Sequence, residues 1–354
     1  MRVPIRVLGH SRTESASQNN EPRVHTDMKL KSIIFIVIAG MLWGTSGIFV
    51  EFLAPMGFTS LQMTAMRGTV SALFMGLYIL IRDRRLFRSR PITLLFFLGS
   101  GLGLFGTAAS YFAAMQLTSI ATAVVLMYMA PVLVTVFSVL FLKERFTVKK
   151  GIAIGAMLVG CALVSGIVGG LRFDLGGILL GILSAVVYAA YSIFTKMGLE
   201  RGAQPMTATF YTFLVMAVMA LSFSSPIEFW SLTVSDPLRT LPLIVGIGIV
   251  TCISPYFLYT LALRNLPAGT ASALSIVEPM AATVFSVVLF SEKLGIASGI
   301  GIVLILSAVI VLSLEESDKR EKPREEARED VQSEEKNKEE TEAKTEEAAE
   351  KERV

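Results

Sequence analysis

Three ionisable side chains, Glu51, Arg67 and Glu278, stand inside long apolar runs of the sequence. A charge at the centre of a bilayer costs at least about 2.5–3.5 kcal/mol on insertion scales, so each of them needs a cavity or a partner. Glu278 is followed by Pro279 in the run LSIVEPMAATVFSVVLF. Proline has no N–H, so it frees a backbone carbonyl about one turn earlier and leaves the helix kinked and locally polar. A carboxyl at such a place can bind a substrate amine or carry a proton. The alternative is a carboxyl kept for packing, protonated or paired with a neighbouring helix. Arg67 can hold a substrate carboxylate or form an ion pair with Glu51 on the adjacent helix, because the guanidinium fork fits either role. Glu51 alone suits a helix end at the membrane interface.

Other chemistry is scarce. Cys161 and Cys252 have neither a CxxC spacing nor a histidine nearby, and read as small packing residues. The two histidines, His10 and His25, precede the first apolar run, so neither a histidine proton relay nor a histidine metal site is expected in the membrane. There is no P-loop, nucleophile elbow, HExxH motif or metal-ligand cluster, so no cofactor, no metal and no enzymatic activity are expected. The basic residues lie in short connections rather than on a surface for nucleic acid.

The elements that must position these residues are membrane helices. The chain is 354 residues long, 53% hydrophobic and 17% charged, with a mean hydropathy of +0.62, too apolar for an ordinary soluble domain. Spanning about 30 Å of hydrocarbon takes roughly 20 apolar helical residues. Such runs are expected at 32–53, 60–81, 93–114, 118–142, 150–168, 176–196, 207–225, 238–263, 268–290 and 296–314, which makes an all-α membrane protein of ten transmembrane helices. At 1.5 Å per residue Glu278 would lie about 15 Å from the inner end of its helix, near the midplane. Lys and Arg concentrate in alternate connections, including Arg82, Arg84, Arg85, Arg88, Arg90, Lys143, Arg145, Lys149, Lys150, Lys196, Arg201 and Arg264, whereas the intervening ones hold Arg172, Arg239 and Lys293. Basic short loops stay cytoplasmic, so both termini are expected inside the cell membrane.

The sequence also repeats itself. At an offset of 148, Tyr111 meets Tyr259, Thr122-Ala123 meets Thr270-Ala271, Pro131 meets Pro279, TVFSV meets TVFSV, and Glu144 meets Glu292. A weaker match at 145 lays 42-LWGTSGIFVE-51 on 187-VYAAYSIFTK-196, pairing Trp43 with Tyr188. Five helices per half is an odd number, so the halves would cross the membrane in opposite senses. Such inverted repeats let a central site open to either side in turn. Proline kinks are expected at Pro131 and Pro279, although Ala130 stands where the second half has Glu278. Trp43, Tyr111, Tyr188 and Tyr259 are candidates to line a substrate pocket, or else sit at interfaces. The spacings Gly40/Gly44, Gly99/Gly103, Gly151/Gly155, Gly177/Gly181 and Gly295/Gly299 allow close helix approach. Glu144 and Glu292 read as topology-setting or gating contacts.

Two five-helix units with Trp43-Gly44 in the first helix, Arg67 in the second, Pro131 in the fourth and Glu144-Arg145 ending it resemble the EamA-type branch of the drug/metabolite transporter superfamily over residues 32–314. That resemblance implies a ten-helix secondary carrier of small metabolites, commonly an exporter, with cytoplasmic termini and a central cavity built from both halves. The expected organisation is a cytoplasmic segment 1–31, repeats over 32–168 and 169–314, and an acidic tail 315–354 with too few apolar residues to fold. Met28, just before Lys29 and Lys31, is a candidate start. The expected partners are a small-molecule substrate, an amino acid or related compound, the lipid bilayer, protons as coupling ion, and a second copy in a homodimer. Rival readings are a carrier of drugs, nucleobases or sugars, and a membrane scaffold or sensor acting through the acidic tail.

Overall fold

Residues 21–118, 120–164, 174–290 and 295–318 are described by a computed structural model, and among them every regular element is helical. In chain order these are α1 (Glu21–Gly44), α2 (Ser46–Leu53), α3 (Ser60–Arg82), α4 (Pro91–Leu117), α5 (Ile120–Met127), α6 (Ala130–Leu142), α7 (Val148–Val164), α8 (Leu175–Glu200), α9 (Pro205–Phe223), α10 (Pro226–Ser235), α11 (Pro237–Gly248), α12 (Ser254–Leu263), α13 (Ala268–Leu274), α14 (Val277–Phe290) and α15 (Ile296–Asp318). Eight helices are long and apolar enough to cross a membrane by length and composition. The other two expected spans are shorter within the described residues: 17 residues of α7 are described, and the apolar part of α15 there is Ile296–Leu312.

Several boundaries differ from expectation. Helix α1 starts at Glu21, within the stretch expected to precede the first span, and it breaks at Thr45, whose hydroxyl donates to Leu42 O at 2.7 Å. The connection expected after 225 is itself a helix, α10, with Ile227 and Trp230 exposed. Its Phe229 lies 6.2 Å from Phe58 in a small second core with Leu53, Met66 and Ile247. Its sequence, PIEFWSLTVS, is short and half polar, so it gives no span signal. The segment before Glu21, the acidic tail beyond Asp318, and Arg172, Glu292 and Lys293 lie outside the described residues.

Local sequence sets the helix ends. Thr59 and Gln62 open α3 with a reciprocal capping box at 3.3 and 2.9 Å, and Asp174 accepts from the Gly177 amide at 2.8 Å to open α8. Packing crosses between the halves of the chain. Helix α1 lies on α12 and α14, and α8 lies on α4, α5 and α6, while α3 pairs with α9 and α7 with α15. A buried hydroxyl chain ties α4, α8 and α9: Ser100 shares a 2.7 Å bond with Thr195 and accepts from Thr212 at 3.1 Å.

One of the glycine spacings, Gly40/Gly44, defines the centre. A Cβ on Gly40 would stand 3.3 Å from the Glu278 amide nitrogen, and one on Gly44 would stand 2.8 Å from Ala281 Cβ and 2.9 Å from Ala282 N. Helix α1 therefore rests directly on the backbone around Glu278. At Gly155, by contrast, nothing lies within 4 Å. Gly44→Ala is expected to destabilise the protein by about 1–3 kcal/mol through overpacking against backbone, and Gly155→Ala by less than about 0.5 kcal/mol. Thermal unfolding of both variants in detergent, side by side, checks the contrast.

Candidate functional site

Two helices break in the interior of the bundle, and both breaks are followed at once by a proline. The first half breaks at Tyr128-Met129 between α5 and α6, where Pro131 occupies the opening turn of α6. The second breaks at Ser275-Ile276 between α13 and α14, with Pro279 in the first turn of α14. Proline is tolerated in a first turn because its missing N–H would have had no intrahelical partner there. The carbonyl that Pro279 would have bonded, Ser275 O, is taken up by the Glu278 amide at 3.0 Å. The kink thus satisfies itself and leaves the Glu278 side chain as the reactive group.

The breaks meet across the two halves. The Tyr128 hydroxyl hydrogen-bonds to the Glu278 carboxyl, and Tyr128 is buried at 6% exposure while Glu278 stays partly accessible. The Tyr111 ring on α4 is also partly accessible and lies within electrostatic reach of the carboxyl. Residues Ala268 to Val277 are buried without interruption, Glu278 is partly accessible, and Pro279 to Ala281 are buried again. The carboxyl therefore sits in the interior of the bundle.

Arg67 is placed by a third proline. Between α11 and α12 the chain forms a π-helical turn, Ile249–Ile253, followed by Pro255. Pro255 lacks the amide that an α-helix would direct at Thr251 O, and Arg67 Nη2 donates to that carbonyl instead, at 3.2 Å. One turn on, Ser71 donates to Gly248 O at 3.5 Å. Turns of this π type recur where a helix is opened for function. The expected Glu51–Arg67 ion pair is not formed among the described residues. Glu51 is exposed near the end of α2, and the guanidinium is turned inward by the vacant carbonyl. Arg67 lies within electrostatic reach of Glu278 without an ion pair to it, and its Nε–H is buried with no partner among the described residues.

The aromatic residues form one cluster. Trp43 is buried at 4% exposure, its ring 4.9 Å from Tyr256 and 5.8 Å from Tyr259, and its indole N–H has no partner among the described residues. Tyr188 packs on Tyr191 at 5.6 Å, and Tyr191 on Tyr256 and Tyr259 at 5.8 and 6.2 Å. Tyr259 is fully buried with its hydroxyl 3.0 Å from Ser192, so the partly accessible ring on that helix is Tyr256. Tyr128, Tyr191 and Tyr256 were missed by symmetry between the repeats. A helical-face reading places Tyr191 and Tyr256 three residues from Tyr188 and Tyr259, on the same faces. A separate groove of about 480 Å³ between α6 and α7, lined by Val132, Val139, Phe146 and Leu158, carries no charged side chain and lies apart from this site.

A bundle of apolar helices, broken where its interior carboxyl, guanidinium and aromatic rings converge, has the architecture of a multi-pass membrane transporter. Residues 30–166 and 175–314 each match the EamA-like transporter family, and the chain belongs to that family. It is 27% identical over 283 residues to an uncharacterized transporter of Bacillus subtilis, YwfM, covering 79% of this chain and 93% of that one. An uncharacterized transporter of Archaeoglobus fulgidus is 29% identical over 279 residues, 78% and 94% of the two chains. A solved crystal structure superposes with a TM-score of 0.65 at 21% identity, over 80% of this chain and 96% of the other, a likeness of fold.

Replacing Arg67 by methionine removes the charged donor to the Thr251 carbonyl inside the bundle. Arg67→Met is expected to cost about 1.5–3 kcal/mol, the range for a hydrogen bond from a charged group, whereas Glu51→Gln should change stability by less than about 0.5 kcal/mol. Unfolding midpoints in detergent check both values.

Proposed function

We propose that the protein is a secondary carrier that moves small zwitterionic metabolites, amino acids or close relatives, outward across the cell membrane by alternating access. In this reading ten helices form two inverted five-helix repeats, with both termini cytoplasmic. The reciprocal packing of α1 on α12 and α14, and of α8 on α4, α5 and α6, supports it, because exchanging the two halves exchanges these contacts.

The observation that carries the proposal is the Glu278 carboxyl, held by Tyr128 from the opposite half and left unpaired by the nearby Arg67. Opposite charges that do not neutralise each other suit a ligand carrying both. The substrate ammonium would bind Glu278. Its carboxylate would take the orphaned Arg67 Nε–H and Trp43 Nε1–H, two buried donors whose vacancy is costly. Tyr111, Tyr188 and Tyr256 would form the walls, and Tyr259 would hold the cluster from behind through Ser192. Protons are the coupling ion in this scheme, exchanging with substrate at Glu278. The edge-on Trp43 and Tyr256 rings favour a second reading, a carrier of flat ring compounds such as nucleobases or drugs.

Counterflow in proteoliposomes tests these readings. With amino acids as cargo and an imposed pH gradient, the intact protein should show flux that follows the gradient, and Glu278→Gln should abolish that dependence. Equal transport by both proteins would reduce Glu278 to a structural role, and flux of nucleobases alone would select the second reading. Removing residues 319–354 should leave flux unchanged; loss of function on removal would point to a scaffold acting through its tail.

A further inference from the structure

At one end of the bundle, the turn that joins α12 to α13 is clamped by charged side chains from two other helices. Helix α6 ends at Lys143, whose φ of 55° makes it the one non-glycine residue in the left-handed region among the described residues. Such a conformation in a residue with a side chain is strained and persists when surrounding contacts over-determine it. Its effect is to return the Glu144 amide to Ser138 O at 3.2 Å and to swing the Glu144 carboxylate across to the other half of the chain. There Oε1 accepts from the Ala268 amide at 2.7 Å, and Oε2 is buried without a partner among the described residues. From the other side Lys196 Nζ donates to Leu263 O at 2.6 Å and Leu266 O at 3.0 Å. Glu144 and Glu200 both lie within its electrostatic reach.

The clamp needs close contact. A Cβ on Gly269 would stand 2.6 Å from Thr135 Oγ1 and 2.8 Å from Lys150 Nζ, so α13 lies flush against α6 only because residue 269 is glycine. Lys150 and Lys196, which the charge pattern places in loops, are buried at 2% and 9% exposure. Burial is also unbroken here, from Ala268 to Val277. The sequence repeats put Glu51 opposite Lys196 and Ser298 opposite Lys150, so these two lysines have no basic counterpart, while Glu292, opposite Glu144, lies outside the described residues.

We infer that Glu144 is the latch that holds the Lys150/Lys196 end of the carrier shut, and that opening this end requires the carboxylate to leave the Ala268 amide. The inference rests on the alternating-access reading.

A labelling experiment that needs no transport tests it. Ser272, fully buried in the sealed stretch, is replaced by cysteine, and a membrane-impermeant maleimide is applied to each face of sealed vesicles. Cys161 and Cys252, buried at 1% and 0% exposure, serve as internal controls for the fold. Glu144→Ala should raise labelling at position 272 from the Lys143/Arg145 face about tenfold, the factor for losing a hydrogen bond to a charged group, with Cys252 unlabelled. Glu144→Gln keeps an acceptor oxygen and should fall between the two. An unchanged rate at position 272 in Glu144→Ala overturns the latch. If Cys252 becomes reactive as well, the milder Glu144→Gln decides. Faster labelling at 272 with Cys252 still protected then supports the latch, and no change overturns it. Absence of counterflow with an intact labelling pattern would count against the carrier reading and not against the latch.

Discussion

Inside a bilayer no water is available to bond a stray backbone carbonyl, and that constraint organises the centre of this protein. Three prolines, Pro131, Pro255 and Pro279, remove amides from helices in the bundle interior. Each vacancy has to be absorbed locally. At Pro279 the Glu278 amide bonds Ser275 O, and at Pro255 the Arg67 guanidinium bonds Thr251 O across two helices. The charged residues of the site are thereby part of the solution to a backbone problem. They are held at fixed positions by the same breaks.

This arrangement links packing to chemistry. Gly40 and Gly44 let α1 lie on the backbone of the second break, so Trp43, on the same helix, reaches the aromatic cluster of Tyr191, Tyr256 and Tyr259. Tyr128, at the first break, reaches Glu278 beside the second. One group from each half meets the other at the seam, so a relative motion of the halves must change the surroundings of Glu278. Half-helices that end near the midplane and aim polar groups at a central site recur in carriers for this reason.

The sequence shows where Glu278 and Arg67 lie, because charge in an apolar run is costly, and where the helices break, because the repeat preserves Pro131 and Pro279; the structure places all four in the bundle interior. The same symmetry argument hid Tyr128, which aligns with Ile276 and so had no counterpart to announce it. It also drew attention to Tyr259 over Tyr256, although burial reverses their accessibility. The Glu51–Arg67 pair failed because adjacency of helices says nothing about which way a guanidinium turns. The deciding factor, the carbonyl vacated by Pro255, lies about 190 residues away in sequence. Lys150 and Lys196 read in the sequence as loop cations, but charge counting cannot tell a solvated cation from a buried one, and Lys196 is buried on the Leu263 and Leu266 carbonyls.

The central claim is that the Glu278 carboxyl, bonded by Tyr128 across the seam, contacts the transported solute. Infrared difference spectroscopy of the protein in lipid, recorded on adding the solute that it exchanges in counterflow, addresses this directly. The account predicts a carboxyl band that changes on solute addition, vanishes in Glu278→Gln and is displaced in Tyr128→Phe. A solute that is exchanged while the carboxyl region of the spectrum stays flat would contradict it.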